Sequence, residues 1–154
     1  MKKRSWFLLV FCLCFLSGCD YREIDRGYLV SAIGVSHENG VARIYVEAIS
    51  SSDFHNDETE RIVLTASGEN LSAAFDEIKK SLTKDLYFEQ LGTVVFENDI
   101  TPEQLSFLQN LPDVNYDIYL VKTDNIKALF SAKTPSGVLG YDVIGILKTN
   151  QLIN

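Results

Sequence analysis

Few residues in this chain have the types and spacing for covalent chemistry, and Cys19 is the clearest of them. It follows Leu16-Ser17-Gly18 directly. Two small residues leave the backbone open to a protease, and the cysteine sulfur supplies a nucleophile that can be modified. Asp53, His55 and Asp57 alternate within an acidic stretch. Folded back, they would offer ligands to a divalent cation, although a solvated acidic loop is the commoner arrangement for such a run. His37 falls in a turn signal and is expected in solvent. No serine sits in a G-x-S-x-G elbow. Gly18, Gly27 and Gly34 are spaced wrongly for a phosphate loop. Gly137-Val138-Leu139-Gly140 would let backbone approach a ligand, but also suits a plain junction before a helix. Tyr87, Tyr116 and Tyr119 stand where strand aromatics usually pack. No nucleophile, base and orienting group come together. The expectation is a binding or scaffolding domain, with no catalytic residues, no metal and no cofactor.

The start of the chain explains Cys19. Lys2, Lys3 and Arg4 form a positive cluster, and Trp6 to Leu16 carries no charge. That run is too short for a bilayer core of about 30 Å, which takes about 20 apolar residues. A basic start, a short apolar stretch and small residues at its end describe a secretory signal, residues 1–18. Its end, Leu16-Ser17-Gly18-Cys19, resembles the lipobox of bacterial lipoproteins. That resemblance implies recognition of Leu16, Ser17 and Gly18 by the signal peptidase. It also implies a diacylglycerol on Cys19, which becomes the first mature residue. Each buried CH₂ contributes about 0.8 kcal/mol, so two acyl chains hold where one is marginal.

The mature chain, residues 19–154, has the size of one domain with one core. The precursor carries 14 Lys and Arg against 21 Asp and Glu. The three basic residues at the start leave with the signal, so 11 face 21 and the mature formal charge is −10. Such a surface repels nucleic acid and anionic headgroups, and attachment to a membrane falls to the lipid. Cys12 and Cys14 lie in the signal. No disulfide or cysteine metal site remains within the mature chain.

Residues 19–26 form a short polar tether, and 27–154 a single domain. Tyr28 to Val35 is the first expected strand. His37-Glu38-Asn39-Gly40 is a turn whose Asn-Gly pair favours positive φ. Val41 to Ile49 returns as a second strand, with Ile44, Val46 and Ala48 on one face and Arg43, Tyr45 and Glu47 on the other. The two make a hairpin. Ser50 to Glu60 is an acidic loop, and Arg61 to Ala66 a third strand. Leu71, Ala74, Phe75, Ile78 and Leu82 make an apolar stripe on a helix over Glu69 to Lys84. Leu91 to Phe96 is a fourth strand. Thr101-Pro102-Glu103-Gln104 starts a helix lined by Leu105, Leu108 and Leu111 and ended by Pro112. Tyr116 to Val121 is a fifth strand. Asp124 caps a short helix carrying Ile126, Leu129 and Phe130, and a last helix spans Val138 to Leu147. Ahead of that last helix, the order β-β-β-α-β-α-β-α predicts an α+β or α/β domain. Its mixed sheet has an N-terminal hairpin, helices packed on it and parallel pairing in the later half.

Several segments in this order resemble the Ger(x)C family of spore germination lipoproteins, the C subunits of nutrient germinant receptors. They are Arg22-Glu23-Ile24 after the lipid cysteine and Ile33-Gly34-Val35 in the first strand. Ser67-Gly68-Glu69 follows, opening a helix with Ala73, Ala74 and Phe75. Leu86-Tyr87-Phe88 then leads to Leu91-Gly92-Thr93-Val94-Val95-Phe96, and Ile126-Lys127-Ala128-Leu129-Phe130 comes last. Asp20-Tyr21 departs from the usual Trp-Asp, and Asn110-Leu111-Pro112-Asp113 from an Arg-Asp pair. Family members are much longer, and the likeness is to their N-terminal domain. It implies a non-enzymatic subunit on the outer face of the spore inner membrane. There it would join receptor A and B subunits in assembly or signal coupling. Arg22 and Glu23 are then either a partner interface or a solvated linker. The competing class is an envelope lipoprotein that binds a small-molecule ligand.

Overall fold

The computed structural model describes residues 27–50, 61–114 and 117–151. The residues expected to form the signal and the tether, with Cys19, Arg22 and Glu23, those of the expected acidic loop, with His55, and Tyr116 lie outside them. Among the described residues the elements run β1 (Tyr28–Glu38), β2 (Val41–Ser50), β3 (Arg61–Gly68), α1 (Leu71–Ser81) and β4 (Leu86–Tyr87). They continue with β5 (Thr93–Phe96), α2 (Pro102–Gln109), β6 (Tyr119–Lys122), α3 (Ile126–Ser131) and α4 (Leu139–Gln151).

β1 and β2 form the expected antiparallel hairpin, closed by Asn39 (φ 54°) and Gly40 (φ 78°). Positive φ at both loop residues is what a two-residue turn between twisted strands requires. His37 is therefore not in the turn; it is an exposed residue of β1, paired with Ala42. The sheet has the order β3-β2-β1-β5-β6. β5 runs parallel to β1, and β6 parallel to β5. The two-residue β4, absent from the sequence expectation, pairs with the start of β1 at Tyr28 and Leu29, ahead of β5 along the same edge. The fold is α+β, a mixed six-stranded sheet with helices on both faces.

Alternation sorts the strands into two cores. Val30, Ile33, Val35, Ile44, Val46, Val94 and Phe96 point to the face covered by α1 and α2. Ala32, Tyr45 and Val95 point to the other, covered by Ile126 and Phe130 of α3 and Leu139 of α4. Central strands buried on both faces are expected where helices cover both sides.

Capping chemistry sets the helix phases. The Asn70 side chain accepts from Ala73 N at 2.9 Å and starts α1. Thr101 and Gln104 complete a capping box at α2. That box turns Gln104, Phe107 and Leu108 inward. Leu105, expected in the apolar stripe, is 45% exposed, and Phe107 takes the inward place. Asn125, not Asp124, caps α3: its Oδ1 accepts from Ala128 N at 2.8 Å, the three-residue reach that a cap needs.

Candidate functional site

Among the described residues, two places concentrate polar groups against a core, one closed and one open. The closed one is built on Glu47. Strand alternation puts Glu47 on the same face as Tyr45, so a carboxylate faces apolar surroundings and is 0% exposed. A register shift in β1 between Val30 and Ala32 sets Ser31 and Ala32 together opposite Glu47. A bulge of this kind re-aims a side chain, and Ser31 Oγ donates to Glu47 Oε2 at 2.6 Å.

The same carboxylate takes the N-terminus of α4. Leu139 N donates to Oε1 at 2.8 Å and Gly140 N to Oε2 at 2.9 Å. Val138 N donates to Ser136 Oγ at 3.1 Å. The N–H groups that a helix leaves unpaired in its first turn are thus met, and negative charge sits at the positive end of the helix dipole. Arg61, the first residue of β3, lays its Nε against Glu47 Oε1 as an ion pair. Its two other nitrogens donate to Ala132 O at 2.8 Å and Phe130 O at 2.7 Å, at the C-terminus of α3. One carboxylate and one guanidinium therefore tie together β1, β2, β3, α3 and α4. Ser31 is 1% exposed, so no substrate reaches the Ser31–Glu47 pair. Gly137-Val138-Leu139-Gly140 does bring backbone close to an anion, and the anion is the protein's own Glu47.

The open place is a groove of about 590 Å³ where the C-terminal ends of α1 and α2 converge. Phe75, Phe88 and Phe107 form its floor; Phe75 lies 5.8 Å from Phe88 and 5.7 Å edge-on from Phe107, centroid to centroid. Asp76, Lys79, Lys84, Asp85 and Asp113 line its rim. Lys79 Nζ stands 5.1 Å above the Phe75 ring and 2.7 Å from Asp76. That hydrogen bond and charge hold the Asp76 carboxyl below its ordinary value.

The groove lies where the chain enters the domain. Leu86 and Tyr87 form part of its wall and pair with Tyr28 and Leu29. Tyr28 N donates to Asp85 O at 2.9 Å. Gly27 approaches Tyr87 so closely that a Cβ there would fall within 1.9 Å of the ring. Cys19, Arg22 and Glu23 precede this point in the chain and lie outside the described residues. Sequence reasoning found the apolar stripe of α1, with Phe75 in it, but missed Glu47. The available signal was an acidic residue in register with Tyr45 on a strand whose other face is wholly apolar.

Among the described residues no group of His, Cys, Asp and Glu could hold a metal ion, and no helix is long and apolar enough to cross a membrane. No curated protein and no solved structure matches the chain. A family model does: the one described as the spore germination protein N-terminal domain matches residues 20–154. The match begins one residue after Cys19 and takes in the sheet, the groove and the Glu47 junction, so this chain belongs to the family of spore germination protein N-terminal domains.

Proposed function

We propose that the chain is a lipid-anchored, non-enzymatic subunit of a spore nutrient germinant receptor, working by contact with the receptor's A and B subunits. Family membership across residues 20–154 carries this reading. In it, residues 1–18 are removed as a signal, Leu16, Ser17 and Gly18 are read by the peptidase, and Cys19 carries a diacylglycerol. Residues 19–26 tether the single domain, 27–154, to the outer face of the spore inner membrane. Residues 20–26 reach at most about 25 Å, and Gly27 leads straight to the groove wall. The groove is then the open surface nearest the lipid along the chain. Arg22 and Glu23 lie within reach of any partner emerging from the bilayer. The mature charge of −10 leaves attachment to the acyl chains.

Spores carrying Cys19→Ala test the anchor. They should fail to incorporate labelled fatty acid into this chain and should germinate poorly. Continued labelling of the Cys19→Ala chain would sink the anchor. Arg22→Ala with Glu23→Ala tests the tether: lowered germination with lowered subunit levels marks an interface, and normal values mark a spacer.

A second reading is favoured by the groove itself, whose aromatic floor and charged rim suit a small ligand. A thermal-shift screen of nutrients separates the two, because a rise in midpoint with one nutrient supports a ligand-binding envelope lipoprotein.

A further inference from the structure

The last helix is held differently from the rest of the domain. Val138, Leu139 and Gly140 are buried, but from Tyr141 onward its described residues are partly or fully exposed, and Ile146 is 61% exposed. Close approach to the sheet is allowed by two glycines, one on each side of the contact. A Cβ on Gly140 would meet the Ser31 backbone, and one on Gly92 would meet Ile144 of the helix at 2.5 Å. Leu139 and Val143 pack in the cluster containing Ala32 and Val95. Leu139 is the one side chain that the described part of the helix buries fully, and hydrophobic stabilisation scales with the apolar area buried. The polar contacts at the helix start are charge-assisted and buried, so they weigh more. The segment leading in contains Gly137 at φ 78° with open space around it, a ready pivot.

We propose that the Glu47–Arg61 pair is a latch that docks α4 reversibly, making α4 the movable element of the domain. Glu47 holds the two N–H groups that fix the helix start. Arg61 holds Glu47 in place and spans to the α3 C-terminus. When the latch opens, α4 swings about Gly137 and uncovers the seam between β1 and β5 at Ala32, Gly92 and Val95. β1, β2 and α1 stay closed, because the larger core that joins them lies on the opposite face. The latch stands independently of the receptor reading.

Native-state amide hydrogen exchange on the full chain in detergent tests this, residue by residue, in the wild type and in Glu47→Gln. That substitution keeps the side-chain shape but removes the charge that α4 and Arg61 hold. Amides of α4 in the wild type should exchange through an opening smaller than the global one, with lower protection than β1 and β2. Glu47→Gln should speed α4 exchange by about tenfold or more, through an opening still smaller than the global one, so that α4 stays less protected than β1 and β2. Arg61→Lys, which keeps charge but loses the fork geometry, should act in the same direction and serves if Glu47→Gln does not fold. Wild-type α4 protection equal to that of β1, or α4 exchange unchanged in Glu47→Gln, would overturn the latch.

Discussion

Gly140 is pressed against Ser31: a Cβ at residue 140 would stand 2.5 Å from the Ser31 carbonyl oxygen. The obstacle is backbone of the central strand, at the bulge that also aims Ser31 Oγ at Glu47. The start of α4 can sit this close to the sheet only without a side chain. Gly140→Ala should therefore destabilise by about 1–3 kcal/mol, the range for overpacking. Gly145 lies in the same helix with open space around it. Gly145→Ala should stabilise by about 0.5–1 kcal/mol through helix propensity. Urea midpoints of the two variants, measured side by side, check the seat of α4 against a simple propensity effect.

Removing Glu47 has a larger expected cost. Glu47→Ala strands the N–H groups of Leu139 and Gly140 and leaves the guanidinium of Arg61, with 17% of its side chain exposed, without its carboxylate. Breaking a buried pair from one side costs about 3–5 kcal/mol. Arg61→Ala, which leaves the carboxylate buried and unpaired, should cost as much. Thermal midpoints of both variants, with far-UV circular dichroism as a check on folding, measure it.

Phe75 anchors the opposite face. It is buried and meets Phe88 and Phe107 ring to ring. Phe75→Ala should destabilise by about 3–5 kcal/mol, a large part of the stability of a small domain. An unchanged midpoint would mean that the groove has no aromatic floor.

At the far edge, Lys122 Nζ lies 2.5 Å from Asp99 Oδ1 and ties β6 to the turn before α2. The Lys122 hydrogen bond and charge lower the Asp99 pKa from its ordinary value of 3.8. A depressed carboxyl contributes stability above its unfolded pKa and loses it as pH falls through the folded one. Carboxyl NMR should show Asp99 titrating below 3.8 in the wild type and returning to 3.8 in Lys122→Ala.

Much of the fold was legible in the sequence because its signals were local. The Asn39-Gly40 turn, the Thr101–Gln104 box and the spacing of Leu71, Phe75 and Ile78 each act within a few residues, and each element formed where they pointed. Leu105 was misplaced because two leucines three residues apart look alike until the cap fixes the helix phase. β4 is too short for any period to show. The Glu47 junction was illegible for a different reason. Its parts come from residues 31, 47, 61, 130, 132, 139 and 140, and only the register shift in β1 and the return of α4 bring them together. The groove was half legible: the stripe of α1 gave its floor, while its place beside Gly27 depended on β4.

Contact with the receptor's A and B subunits is a proposal that a binding experiment decides. Affinity isolation of the chain from detergent-solubilised spore inner membrane, followed by detection of the A and B subunits, tests it most directly. Both subunits should co-purify with the wild-type chain and be depleted with Cys19→Ala. Recovery of the chain from the membrane with neither subunit bound would overturn the proposed contact.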